Sequence, residues 1–228
     1  MNNIGYEDVA SMIDHSLLHP SLTDEELEAG CFLARRLKVA TVCVKPCFVS
    51  GAAEVLHGST VRVGTTIGFP HGGHTTAAKR QEALDACENG AVELDMVVNI
   101  GKVLSEDWEY VEDDVNAVLD VARQHDAILK VIFENCYLED LHKVKLCQIC
   151  SELEVDFVKT STGYGTGGAT DEDIVLMRKN CSSSVQVKAA GGIRTLERVL
   201  RVRELGCTRV GATATETILT ELRGKLAE

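Results

Sequence analysis

Two short stretches decide how this chain folds: Val155-Asp156-Phe157-Val158-Lys159-Thr160-Ser161-Thr162-Gly163 and Val185-Gln186-Val187-Lys188-Ala189-Ala190-Gly191-Gly192. Each starts on β-branched and aromatic residues, as strands do, and ends on glycine. Between them, Thr170-Asp171-Glu172-Asp173 marks a helix start: a threonine N-cap followed by acidic residues that suit a helix N-terminus. Strand, helix and strand at this spacing make one βα unit of a parallel sheet. The pattern repeats outward in both directions. Earlier β-branched runs occur at 40–45, 61–69, 92–98 and 128–133, a later one at 208–211, and a weaker one at 12–17. Helix starts lie between them: the capping box Thr23-Asp24-Glu25-Glu26, Thr75-Thr76 (leading to an Asn89-Gly90 stop), Ser105-Glu106-Asp107 and Thr195-Leu196-Glu197-Arg198. Eight strands, each followed by a helix, predict a closed (β/α)8 barrel. The alternative, an open doubly wound sheet, is favoured by G-x-G-x-x-G at the first βα turn, and none occurs there.

The 228 residues are therefore expected to form a single barrel domain over 1–228, with a short N-terminal helix before the first strand. Hydrophobic residues at 45% and charged residues at 25% exclude a disordered chain. The 35 acidic against 23 basic residues leave a net charge of −12, the wrong sign for a nucleic-acid binder. A local basic pocket for a small anionic substrate remains compatible with that balance. No apolar run approaches the ~20 residues of a membrane span. Met1-Asn2-Asn3-Ile4-Gly5 carries neither a basic segment nor an apolar one, so the expected setting is cytoplasmic.

Chemistry in such barrels sits at the C-terminal ends of the strands. Lys159 and Lys188 lie late in two neighbouring strands, and Asp95 lies in the fourth, Val92-Glu93-Leu94-Asp95-Met96-Val97-Val98-Asn99. Barrel strands alternate between lumen and helix layer, and neither face is open water. One explanation is structural, with each lysine paired to a carboxylate such as Asp95 or Glu93. The other is catalytic. Two close ammonium groups disfavour each other's charge, so one lysine is neutral near pH 7 and can attack a carbonyl to form a Schiff base. A nearby carboxylate then moves protons. Glycine-rich stretches after strands six, seven and eight, including Thr162-Gly163, Gly191-Gly192 and Gly211-Ala212-Thr213-Ala214, point to a phosphate at one edge of the barrel mouth.

The segments Val158–Gly163, Val187-Lys188-Ala189-Ala190-Gly191-Gly192-Ile193-Arg194-Thr195 and Glu93-Leu94-Asp95-Met96-Val97 resemble the deoxyribose-phosphate aldolases. So do Ile13-Asp14-His15-Ser16-Leu17-Leu18, Val42-Cys43-Val44-Lys45-Pro46 and Gly68-Phe69-Pro70-His71-Gly72, and the match runs along essentially the whole chain. The resemblance implies a metal- and cofactor-independent class I aldolase that cleaves 2-deoxy-D-ribose 5-phosphate to glyceraldehyde 3-phosphate and acetaldehyde. It implies that Lys159 forms the Schiff base, that Lys188 lowers its pKa and assists proton transfer, and that Asp95 donates and accepts protons. Asp14 orders contacts near the substrate hydroxyls. Thr162, Gly163, Gly191, Gly192, Thr213 and Ala214 surround the phosphate, and a homodimer is implied. The chain departs from the family at Thr213-Ala214, where serines are frequent, at Phe133-Glu134-Asn135 after strand five, and in ending without the C-terminal tyrosine some members carry. Without that tyrosine, a water relay is expected to protonate the enamine.

Other conspicuous residues are expected to be structural. His71 and His74 lack a third ligand at zinc spacing and are assigned to loop hydrogen bonds, and His15 to a local polar contact. Lys45 and Lys130 are expected in ion pairs, with Asp14 and Glu134 as partners. The run 106–114 is expected to be a solvated helix face. The nine cysteines, Cys147-x-x-Cys150 included, are expected to be reduced thiols. Two other functions fit the same residues: a Schiff-base aldolase for another phosphorylated aldehyde or keto sugar, and a catalytically silent sugar-phosphate-binding barrel.

Overall fold

A computed structural model describes residues 4–227; Met1–Asn3 and Glu228 lie outside the described residues. The elements run α1 (Tyr6–Ala10), β1 (Ile13–Leu17), α2 (Asp24–Leu37), β2 (Thr41–Val44), α3 (Val49–Val55), β3 (Arg62–Ile67), α4 (Thr76–Glu88) and β4 (Glu93–Val97). They continue with α5 (Ile100–Leu104), α6 (Trp108–Gln124), β5 (Ile128–Ile132), α7 (Asp140–Glu152), β6 (Phe157–Lys159), α8 (Asp171–Asn180), β7 (Gln186–Ala190), α9 (Leu196–Glu204), β8 (Cys207–Ala212) and α10 (Thr215–Leu226). All eight strands are parallel, each pairs with the next, and β8 closes on β1. The chain is a single-domain (β/α)8 barrel, and α1 precedes its first strand.

The helices begin where their caps dictate. The side chains of Thr23, Thr75, Thr170 and Thr195 each accept an amide hydrogen from the first turn, satisfying a donor the helix itself leaves free. The segment after β4 differs from expectation. Asn99 caps a separate short helix, α5, and Ser105 ends it; Asp107 caps the long α6. Four helices lack an N-cap side-chain hydrogen bond: α1, entered from Gly5, α3 from Phe48, α7 from Glu139 and α10 from Ala214.

Alternation along the strands separates two environments. One face, with Ile13, Val42, Leu94, Met96, Val131, Val158, Val187 and Val210, packs into an apolar layer between barrel and helices. The register Asp95↔Lys130, Ile132↔Lys159, Lys159↔Lys188 and Lys188↔Arg209 runs the charged residues around the other face. The charge therefore collects in the lumen.

Two structural expectations need correction, and a third, the ion pairing of Lys130, holds with a wider set of partners. Asp114, in the acidic run, is buried and pairs with Lys79 at 2.5 Å, because α6 turns that residue onto α4; Glu109, Glu112 and Asp113 remain exposed. Among the described residues Lys45 reaches no carboxylate: its ammonium donates to the carbonyls of Pro20 (3.1 Å) and Leu22 (3.3 Å) and lies over the Phe48 ring. Lys130 is ion-paired, but Asp95 (2.8 Å) and Glu93 (2.6 Å) hold it more closely than Asp14 (3.7 Å), and Glu134 is occupied elsewhere.

Candidate active site

The barrel lumen holds a chain of buried charges. Lys159 Nζ and Lys188 Nζ both donate to the same oxygen of Asp95, Oδ2, each at 2.7 Å. Lys130 takes the other oxygen at 2.8 Å. Lys188 also donates to Asp14, which accepts from Arg209 at 2.5 Å. Arg209 continues to Glu93 and to the Thr41 hydroxyl. Seven buried ionisable side chains on β1, β4, β5, β6, β7 and β8 thus form one connected network, which the half-exposed Arg62 of β3 joins through Glu93.

Burial opposes the charge on each group, and neighbours decide the balance. Asp95 is pushed up by burial, yet the ammonium groups of Lys130, Lys159 and Lys188 overcome this and hold it well below the usual carboxylate range. Asp14, also opposed by burial, is drawn down to about 2 by Lys188, Lys130 and Arg209. Lys188 and Lys130 resist burial through their carboxylates and end above the ordinary lysine value. Lys159 alone of the three goes down. Burial is the largest cause, and the positive charge of Lys188 adds to it against the pull of Asp95. Mutual repulsion between the lysines is therefore real but second to desolvation.

Above the network opens a cavity of about 300 Å³ at the C-terminal ends of the strands. Asp14, Lys159 and Lys188 line its floor, and Cys43 stands beside them. Gly163, Gly191, Gly192 and Thr213 line its walls, with Arg194 adding a cation. Gly191 has φ +82, and a Cβ there would come within 2.7 Å of Gly168 Cα, so this turn admits no side chain. Ala214 lies one residue behind the wall, at the entrance to α10.

Thr162 lines the cavity too, but both its donors are engaged. Its amide donates to Glu134 Oε1 at 3.1 Å and its hydroxyl to Glu134 Oε2. Glu134, buried at the end of β5, thus takes both. Among the described residues, no group of three or more His, Cys, Asp and Glu side chains is placed to hold a metal ion, and His71 and His74 are both exposed.

The family model for DeoC/LacD family aldolases matches residues 9–213. This chain belongs to the DeoC/LacD aldolase family. A deoxyribose-phosphate aldolase of Rhodopirellula baltica is 53% identical over 226 residues, covering 99% of this chain and 94% of that one. A second, from Caldanaerobacter subterraneus, is 46% identical over 93% of each chain. Among solved structures, a tetrameric deoxyribose-phosphate aldolase from Aeropyrum pernix superposes with a TM-score of 0.90 at 27% identity, covering 97% of this chain and 93% of that one.

The structure of this DeoC/LacD aldolase brings Lys159, Lys188, Asp95 and Asp14 together and adds residues that motif reading passed over. Arg209 shares a strand face with Gly211 of β8, so strand periodicity could have placed it in the lumen. Tyr164 donates its hydroxyl to the Leu18 carbonyl at 2.8 Å and meets Phe69 edge-on at 5.4 Å, joining three loops around the cavity mouth of this aldolase. Nothing local in the sequence announces those contacts.

Proposed function

We propose that this enzyme reversibly cleaves 2-deoxy-D-ribose 5-phosphate to D-glyceraldehyde 3-phosphate and acetaldehyde through a Schiff base on Lys159. The observation that carries the proposal is the position of Lys159: a lysine on the cavity floor whose pKa is lowered, hydrogen-bonded to a carboxylate that a second lysine shares. A neutral amine is what carbonyl attack needs. The names carried by the relatives favour this substrate over another phosphorylated sugar.

In the proposed sequence, the Lys159 amine adds to the C1 aldehyde of the open-chain sugar, and the carbinolamine loses water to give the iminium. The C3 hydroxyl gives up its proton, the C2–C3 bond breaks, and its electron pair moves into the iminium to form the enamine of acetaldehyde. Glyceraldehyde 3-phosphate leaves. Protonation of the enamine carbon followed by hydrolysis releases acetaldehyde and regenerates the amine. Asp95 and Lys188 relay the protons. Asp14, held by Lys188 and Arg209, anchors the relay and faces the substrate hydroxyls. The phosphate rests on Gly163, Gly191, Gly192 and Thr213, near Arg194 and the uncapped N-terminus of α10 behind Ala214. The iminium is the electron sink, so turnover is expected to survive exhaustive EDTA treatment.

Acetaldehyde with borohydride should add one ethyl group to the peptide containing Lys159. Label on Lys188 would reverse the two roles, and absence of label from both would end the Schiff-base mechanism. The reaction is assigned to the cytoplasm, and self-association to a dimer, which sedimentation equilibrium would distinguish from a tetramer.

A further inference from the structure

Away from the cavity, α7 and α8 bring cysteines together. Cys147 is buried in α7, and Cys181, partly exposed, caps the C-terminus of α8. A single carbonyl pins both residues: Cys147 Sγ lies 3.8 Å from Met177 O, to which the Cys181 amide donates at 3.0 Å. Ser151, one turn beyond Cys147, accepts the Ser182 amide at 3.0 Å and donates its hydroxyl to the Cys147 carbonyl at 2.6 Å. Arg178 encloses the turn, donating to the carbonyls of Val185 (2.6 Å) and Cys181 (3.3 Å).

We propose that Cys181 and Cys147 are an oxidation site, where a hydroperoxide attacks at Cys181 and Cys147 resolves the product to a disulfide linking α7 to α8. The microenvironment is the kind that makes a thiol reactive: partial exposure beside a fixed guanidinium and hydroxyl. The neighbouring Cys147 thiol, the Arg178 charge and the Ser151 hydroxyl lower the Cys181 pKa against burial. The Cys181 neighbour and burial keep Cys147 protonated. Cys150, one turn along α7 and fully buried, is held further from ionisation by its apolar surroundings.

In the first step the Cys181 thiolate attacks the outer peroxide oxygen. The O–O bond breaks, the alkoxide or hydroxide takes a proton and leaves, and the sulfur is oxidised by two electrons to a sulfenic acid. In the second, the Cys147 sulfur attacks that sulfenyl sulfur as its own proton departs. The S–O bond breaks, and hydroxide leaves as water. The sum is two thiols and one hydroperoxide giving one disulfide, one alcohol (or water) and one water. Neither cysteine lines the active-site cavity, so the reaction is separable from aldol chemistry.

The test treats the reduced, folded enzyme with equimolar hydrogen peroxide, blocks remaining thiols, and maps peptides without reduction. The expected product is a Cys147–Cys181 cross-linked peptide, lighter by ~2 Da than its separated parts. In Cys147→Ser, dimedone should instead trap a sulfenic acid on Cys181. Before oxidation, iodoacetamide at neutral pH should alkylate Cys181 ~10-fold faster than the exposed Cys47. Alkylation of Cys181 no faster than Cys47, first oxidation at another cysteine, or a Cys147–Cys150 bond in place of the expected one would each overturn the proposal. The parent protein suffices for these readings, so they stand even if the variant folds poorly.

Discussion

Lys159 is the least compensated cation in the lumen. Lys130, Lys188 and Arg209 each contact at least two carboxylates, whereas Lys159 has one oxygen of Asp95 and shares it with Lys188. Four buried cations face the three carboxylates Asp14, Glu93 and Asp95, so losing one proton brings the group nearer neutrality, and Lys159 gives it up most easily. Lys159→Arg keeps the charge but cannot form an imine, and turnover should vanish. Lys188→Leu tests the tuning. With the Lys159 pKa lowered, imine formation in the parent rises with pH through that depressed value and then levels. Removing the Lys188 charge raises the pKa, so the variant's rate should still be climbing where the parent is flat. Burial persists in the variant, so only part of the shift should be lost. Identical pH profiles for the two would show that Lys188 does not tune Lys159.

At the scale of elements, the end of β4 is anchored from outside the barrel. Lys79 of α4 is wholly buried, pairs with Asp114 of α6 at 2.5 Å, and donates to the carbonyl of Val97, two residues beyond Asp95, at 2.9 Å. Thr76 adds a hydrogen bond to the other Asp114 oxygen at 2.9 Å. Breaking such a pair from one side strands a buried charge, which costs about 3–5 kcal/mol, while replacing both partners with apolar residues costs far less. Lys79→Met should therefore destabilise the fold by about that amount in urea unfolding. Lys79→Met with Asp114→Leu should recover most of the loss. A single variant within about 1 kcal/mol of the parent would mean that the pair does not clamp α4 and α6 to β4.

Over the whole molecule, barrel closure makes stability depend on acid. His15 on β1 is buried and hydrogen-bonds the Thr215 hydroxyl of α10 at 2.8 Å, joining the first strand to the last helix. Burial lowers its pKa from 6.5 to about 4. Between those values the unfolded chain binds a proton that the folded one refuses, so His15 favours folding fully above pH 6.5 and loses that effect as pH falls to 4. The loss is at most ~3 kcal/mol. Asp14 acts lower down: its folded pKa of about 2 lies beneath the ordinary 3.8, and its contribution disappears between them as pH falls. Urea midpoints should fall from pH 7 to pH 4, and His15→Asn should flatten that decline. Parallel declines in parent and variant would remove His15 as the cause.

Strand and helix order was legible in the sequence because its signals are local: β-branched runs, threonine caps at 23, 75, 170 and 195, and glycine at strand ends. The lysines and Asp95 were legible too, since charge within an apolar strand contradicts its surroundings. Even so, local signals misjudged Asp114 and Lys45, whose surroundings come from other elements. Arg209 on Asp14, Glu134 on Thr162 and Cys181 against Cys147 were settled only by the tertiary structure. Asp14 and Arg209 stand 195 residues apart and meet because β8 closes on β1. Which charge answers which, and which lysine is left with half a partner, depends on the register of that closed ring. No window of sequence contains it.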